Sequence, residues 1–151
     1  MKNIDIHAHL NFNDFSEDQD EVIQRALSNG VGMINIGTKL HTSVESVRLA
    51  NKYEELYSII GLHPIYVDQE EFDIEKYREL IVDPKVVGVG EIGLDYFHIE
   101  GDVVEIKKKQ EKLFRKQIDL ALEFDKPIMV HCRDAYSDLL KILNEYKEEG
   151  K

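Results

Sequence analysis

Cysteine, cations and long apolar runs are what this sequence has least of. Of its 151 residues one is cysteine, Cys132, so no internal disulfide is possible and a reducing compartment fits. Lys and Arg number 19 against 30 Asp and Glu, a formal net charge of -11. That balance argues against a broad surface for coating nucleic acid, although metals and a few local cations can still grip a phosphate chain. No stretch approaches the length of a membrane span. Asp5 and His7 stand where a signal peptide would need an apolar run. A cytoplasmic protein with no membrane partner is therefore expected. Linkers, internal repeats and low-complexity segments are missing too. One domain over 1–151 is expected, long enough to bury a real core.

What is present is an alternation of strand and helix patterns from end to end. The first strand runs through Ile4-Asp-Ile-His-Ala-His-Leu10. A helix follows over Glu17–Asn29, with Ser16 as N-cap, a buried stripe of Val22, Ile23, Ala26 and Leu27, and Gly30 as its stop. The second strand is Val31–Ile36, and the second helix is Thr42–Tyr53 with Val44, Val47 and Ala50 at helical spacing. The third strand, Leu56–Ile60, leads into Gly61-Leu-His-Pro64, and the third helix is Asp73–Ile81. The fourth strand, Val86–Gly90, leads into Glu91-Ile-Gly-Leu-Asp95 and is followed by a long helix over Val103–Phe124. The fifth, Pro127–Val130, leads into His131-Cys-Arg-Asp134 and a helix over Tyr136–Glu148.

Five consecutive βα units imply right-handed crossovers and a parallel sheet buried on both faces. An open doubly wound sheet and a (β/α) barrel both satisfy this. The first strand lacks the glycine-rich turn that cradles a dinucleotide. Polar residues sit instead just past strands one, three, four and five, which is the barrel pattern. A closed barrel needs eight units and typically about 250 residues. The expected fold class is therefore α/β, an incomplete (β/α)8 TIM-type barrel of about five βα units.

Side chains alternate along a strand, so His7 and His9 point the same way, with Asp5 behind them as an outer acceptor for their rings. Such a pair is a pincer for a divalent metal, or simply two polar residues leaving a strand. Val87, Val89, Glu91 and Asp95 share parity if the extended pattern holds, as do Met129, His131 and Arg133. On that basis Val87, Val89 and Met129 face the barrel interior. Each candidate has a plainer reading. Glu91 would be a solvated acid, but Gly88, Gly90 and Gly93 around it mark close backbone approach. His131 would be a satisfied core histidine, and Arg133 a surface charge or a partner of Asp134. His63 precedes a proline that restricts its backbone. His41 and His98 read as loop residues, Cys132 as a buried inert thiol, and Lys107-Lys-Lys109 as the solvated face of a helix.

The words Asp5-Ile-His-Ala-His9, Gly61-Leu-His-Pro64, Gly90-Glu-Ile-Gly-Leu-Asp-Tyr96 and His131-Cys-Arg-Asp-Ala135 resemble the TatD family of metal-dependent deoxyribonucleases, within the amidohydrolase-like barrels. The resemblance covers the whole chain in order and spacing, including Gln110 to Gln117. It implies two divalent metal ions (Zn, Mn or Mg), with His7 and His9 on the first, Glu91 bridging both as the catalytic carboxylate, and His131 on the second. It implies His63 and Arg133 as holders of a substrate phosphate, and hydrolysis of DNA phosphodiester bonds by a metal-activated water. The family takes a further histidine after a sixth strand and an aspartate after an eighth. Five units therefore correspond to the N-terminal portion of such a barrel, truncated after the fifth, with activity resting on the remainder. Two other functions stay open: an amidohydrolase-type enzyme on a small ester, amide or phosphoester, and an inactive remnant or split-protein half whose edge pairs with a partner chain or with itself.

Overall fold

The computed structural model describes residues 2–148 and 150. Its order of elements is the one the sequence predicts. Strands β1 (Asn3–Ala8), β2 (Val31–Ile36), β3 (Leu56–Ile60), β4 (Val86–Asp95) and β5 (Ile128–Arg133) alternate with helices α1 (Gln19–Ser28), α2 (Leu40–Lys52), α3 (Ile74–Ile81), α4 (Val103–Glu123) and α5 (Tyr136–Glu148). The strands form one parallel sheet in sequence order, β1-β2-β3-β4-β5. It curls into a half-barrel, with β1 and β5 as its edges.

Apolar side chains on the helix-facing side form two clusters. The larger joins Ile60, Val86, Val89, Ile92 and Leu94 of the sheet to Tyr77, Ile81, Leu113, Phe114 and Ile118 of α3 and α4. The smaller packs Met33 and Leu56 under Ile23, Leu49 and Ala50. Because Ile60 faces the helices, alternation turns its neighbour Ile59 to the concave side. Polar residues tie the layers at specific points. Ser46 Oγ donates to the Asn35 carbonyl and sits 2.7 Å from Ser58 Oγ, all fully buried.

Several expectations are corrected. Helix α1 starts two residues later than predicted, at Gln19, and Asp18 rather than Ser16 precedes it. Only Ile23 of its stripe is fully buried, packed with Met33 of β2. Val44 of α2 is exposed, and Thr42, Ser43 and Ser46 take the buried face in its place. Strands β4 and β5 run on through Asp95 and Arg133, well past the apolar stretches that announced them. Nor does the parity assumed along β4 hold. Its register shifts against β3 between Ser58 and Ile59, and against β5 between Val89 and Ile92. Val89 accordingly lies fully buried on the helix side instead of facing the barrel interior, whereas Val87 and Met129 are half-buried. The Gly90–Glu91 peptide is cis.

Glycine is required at two of these places. A side chain on Gly90 would put its first carbon 2.7 Å from Met129 Cβ. Gly93 has φ 146°, and a side chain there would run into the His131 carbonyl oxygen. The close approach of β4 and β5 read from these glycines is what brings Glu91 beside His131.

Candidate metal centre

His7, His9, His63, Glu91 and His131 meet at the C-terminal edge of the sheet. His7 Nε2 lies 3.1 Å from His9 Nε2 and 3.4 Å from Glu91 Oε2. The other carboxylate oxygen, Oε1, lies 3.0 Å from His131 Nδ1 and 4.0 Å from His63 Nε2. One carboxylate thus presents each oxygen to a different pair of imidazoles. Ligand atoms of His7, His9 and Glu91 all fall within 4.8 Å of one another, as do those of His63, Glu91 and His131. Two such groups sharing Glu91 fit a pair of divalent cations.

The surroundings set the state of each group. His9 Nδ1 lies 3.2 Å from the Ile36 carbonyl, which can only accept, so Nδ1 carries the hydrogen and Nε2 keeps the lone pair a cation needs. Its ring stacks on Phe12 at 4.6 Å. Burial holds the His9 pKa below its ordinary value, favouring the neutral ring. For Glu91, burial opposes ionisation, but the His131 hydrogen bond and the charges of His63, His7 and His131 outweigh it and lower the pKa. The Glu91 hydrogen bond raises that of His131, against burial.

His63 follows β3 on a rigid mount. Its N–H donates to the Thr38 carbonyl, and the residue before it, Leu62, is gripped by Gln117. Pro64 then opens a short 3-10 turn, in which the Ile65 N–H donates to His63 Nδ1 at 3.3 Å. Nδ1 is therefore the acceptor, and the ring's hydrogen sits on Nε2, facing Glu91. Burial, with the nearby charge of His131, pushes the His63 pKa down to about 4.

Asp5 sits differently from expectation. Asp5 Oδ1 accepts from the His7 main-chain N–H rather than from an imidazole, so it fixes the strand end and not a ring. Arg133 is exposed, with its guanidinium carbon 4.2 Å from the Phe97 ring centroid. The plainer readings hold for two others. Cys132 packs half-buried against the larger apolar cluster, where burial raises the thiol pKa. Lys109 pairs with Asp68 and Glu105 on the solvated side of α4.

Sequence reasoning passed over Asp95 and His98. Asp95 is 1% exposed, and its Oδ2 lies 2.9 Å from both His131 Nε2 and His98 Nδ1. Burial opposes its ionisation, yet the His98 and His131 hydrogen bonds bring its pKa to about 2. The available signal was the parity Asp95 shares with Glu91, together with a histidine three residues on.

Comparison with known proteins fits this geometry. The profile of the TatD related DNase family matches residues 4–151. The uncharacterized metal-dependent hydrolase YabD of Bacillus subtilis is 39% identical over 148 residues, which are 97% of this chain and 55% of that protein. The 3'-5' ssDNA/RNA exonuclease TatD of Citrobacter koseri is 35% identical over 96% of this chain and 55% of its own length. Among solved structures, the hydrolase TatD family protein of Entamoeba histolytica superposes with a TM-score of 0.84 at 30% identity, over 97% of this chain and 55% of that one. The chain thus spans about half the length of the relatives it matches. The site, the half-barrel and the profile agree: this chain belongs to the TatD related DNase family.

Proposed function

We propose that this chain forms the metal-binding part of a metal-dependent hydrolase that cleaves phosphodiester bonds of nucleic acid, DNA foremost. The observation that carries the reading is Glu91, whose two oxygens face His7 and His131 separately. His7, His9 and Glu91 would hold one cation, and Glu91 with His131 would hold the second. A metal pair bound there supplies an activated water and charge neutralisation on the phosphoryl oxygens.

His63 has the position of a second-site ligand but the tautomer of a donor. With Nδ1 engaged by the Ile65 N–H, its Nε2 offers a hydrogen rather than a lone pair. Its low pKa keeps the ring neutral. That suits a hydrogen bond to a phosphate oxygen better than metal ligation. Arg133, exposed and stacked on Phe97, would add a cation at the same rim. With a net charge of -11, local groups and bound metals have to grip the substrate. The relatives named as ssDNA/RNA exonucleases make a single strand the substrate to try first.

The test is hydrolysis of end-labelled single-stranded DNA with zinc, manganese or magnesium. It is run on this chain alone and on a fusion that adds three further βα units carrying the family's remaining histidine and aspartate. Metal-dependent cleavage by the fusion, abolished by Glu91→Gln, is expected. Cleavage of small esters or amides with DNA left intact would move the chain to the amidohydrolase reading. Absence of bound metal would sink both.

A further inference from the structure

We infer that Asp95 is a positioning residue for His131: its buried carboxylate keeps a hydrogen on Nε2 of that ring, so that Nδ1, on the Glu91 side, is the nitrogen left to bind a cation. The inference rests on the metal-bridge reading above and extends it beyond the four ligand residues.

The argument starts from how little freedom Asp95 has. Its main-chain N–H donates to Gln110 Oε1 and its carbonyl accepts from Gln110 Nε2, both at 2.9 Å. Oδ1 accepts the backbone N–H groups of Phe97 and His98, at 3.1 and 2.9 Å. The carboxylate is thus locked in plane, and Oδ2 is directed at the two imidazole nitrogens, each 2.9 Å away. An ionised carboxylate can only accept, so the nitrogens facing it must carry hydrogen. Glu91 Oε1 stands 3.0 Å from Nδ1 of His131, so without a cation the ring donates from both nitrogens. A cation held by Glu91 would displace the Nδ1 hydrogen, and Asp95 then keeps the one that remains on Nε2. A carboxylate behind a metal-ligating histidine orients the ring and raises its basicity. His98 is the second donor on Oδ2 and is half-exposed, so it belongs to the support of Asp95 and not to the bridge.

Asp95→Asn separates this role from bulk structure. The amide oxygen can still accept from the Phe97 and His98 N–H groups, while its NH2 replaces the oxygen opposite His131 Nε2. Two N–H groups cannot face each other, so the ring should move its hydrogen to Nδ1 and lose the metal-side lone pair. Zinc titration of the full chain should then show the site containing His131 weakened about 10- to 100-fold, with the His7–His9 site unchanged. Nitrogen-15 NMR of the zinc-loaded protein should show wild-type His131 protonated at Nε2 and bound through Nδ1. Unchanged zinc affinity in a folded Asp95→Asn protein, or wild-type His131 bound through Nε2, overturns the inference and leaves the bridge standing. A wild-type protein that takes up zinc but none on His131 overturns both. Should Asp95→Asn fail to fold, the nitrogen assignment in the wild type decides the matter by itself.

Discussion

Glu91 and His63 sit 4.0 Å apart and make opposite demands on charge. Glu91 is held ionised by the histidines around it, and an anion there offsets the repulsion of two cations. Glu91→Gln keeps the size and removes the charge, so it should weaken metal binding at both sites together, by more than about tenfold. His131→Ala should weaken mainly the second. Metal stoichiometry by elemental analysis distinguishes the two, and unchanged stoichiometry in Glu91→Gln would remove Glu91 from the bridge. His63 is buried as the neutral ring. In the metal-free protein the unfolded chain takes up a proton at His63 near the ordinary value of 6.5, while the folded chain resists until about 4. Between those values the unfolded state carries more protons. The stability His63 contributes is therefore full above 6.5 and is lost as pH falls toward 4, by up to about 3 kcal/mol. His131 works the other way. Its raised pKa contributes stability below the ordinary value, lost as pH rises through the folded one. His63→Gln should flatten the acid limb and spare the alkaline one, which melting curves of metal-free protein from about pH 7 to about pH 4.5 would show.

At the scale of elements, α4 does more than cover the sheet. Gln110 and Gln117 lie seven residues apart, about two helical turns, and both are buried. Each uses both ends of its amide to grip one residue of a strand end. Gln117 accepts from the Leu62 N–H at 2.8 Å and donates to its carbonyl at 3.0 Å, while Gln110 does the same at Asp95. One helix thereby aligns the segment carrying His63 with the strand carrying Glu91 and Asp95. Gln117→Met keeps the volume but leaves the buried Leu62 N–H and carbonyl unpaired. It should cost about 2–4 kcal/mol in chemical denaturation. A loss under about 0.5 kcal/mol would mean that water or a local shift replaces the clamp. Sequence alone marks both glutamines as part of a family word, but their partners lie 15 and 55 residues away. Their role depends on a pairing that helical periodicity does not reveal. The same holds for β4. Its apolar stretch is legible, but the register shift that decides which way Val89 and Glu91 face is set by contact with β3 and β5.

For the whole molecule, the two sheet edges dominate. Among the described residues β1 pairs only with β2, and β5 only with β4. Strand β1 is exposed along most of its length, with Ile4 at 43% and Ile6 at 58%, and Val130 on β5 is 38% exposed. Unpaired edges bearing apolar side chains favour association with another chain. This chain should therefore self-associate in a concentration-dependent way or take up a partner there. Ile6→Lys should shift sedimentation toward the monomer while leaving the melting temperature within a few degrees, since Ile6 contributes little to either apolar cluster. A wild-type chain that stays monomeric through the micromolar range would count against this. No helix among the described residues is long and apolar enough to cross a membrane.

The sequence by itself determined the order of five βα units, the parallel sheet they imply, and the clustering of His7, His9, His63, Glu91 and His131 at strand ends. It did so because apolar runs, helical spacing and residue parity are local properties of a chain. The tertiary structure decided the rest: which way Glu91 turns after its register shift, that Asp5 bonds a backbone and not a ring, that Ile65 sets the tautomer of His63, and that Asp95 lies behind His131. Each of these depends on a distance between strands or on a hydrogen-bond direction, and those exist only once separate segments have packed together.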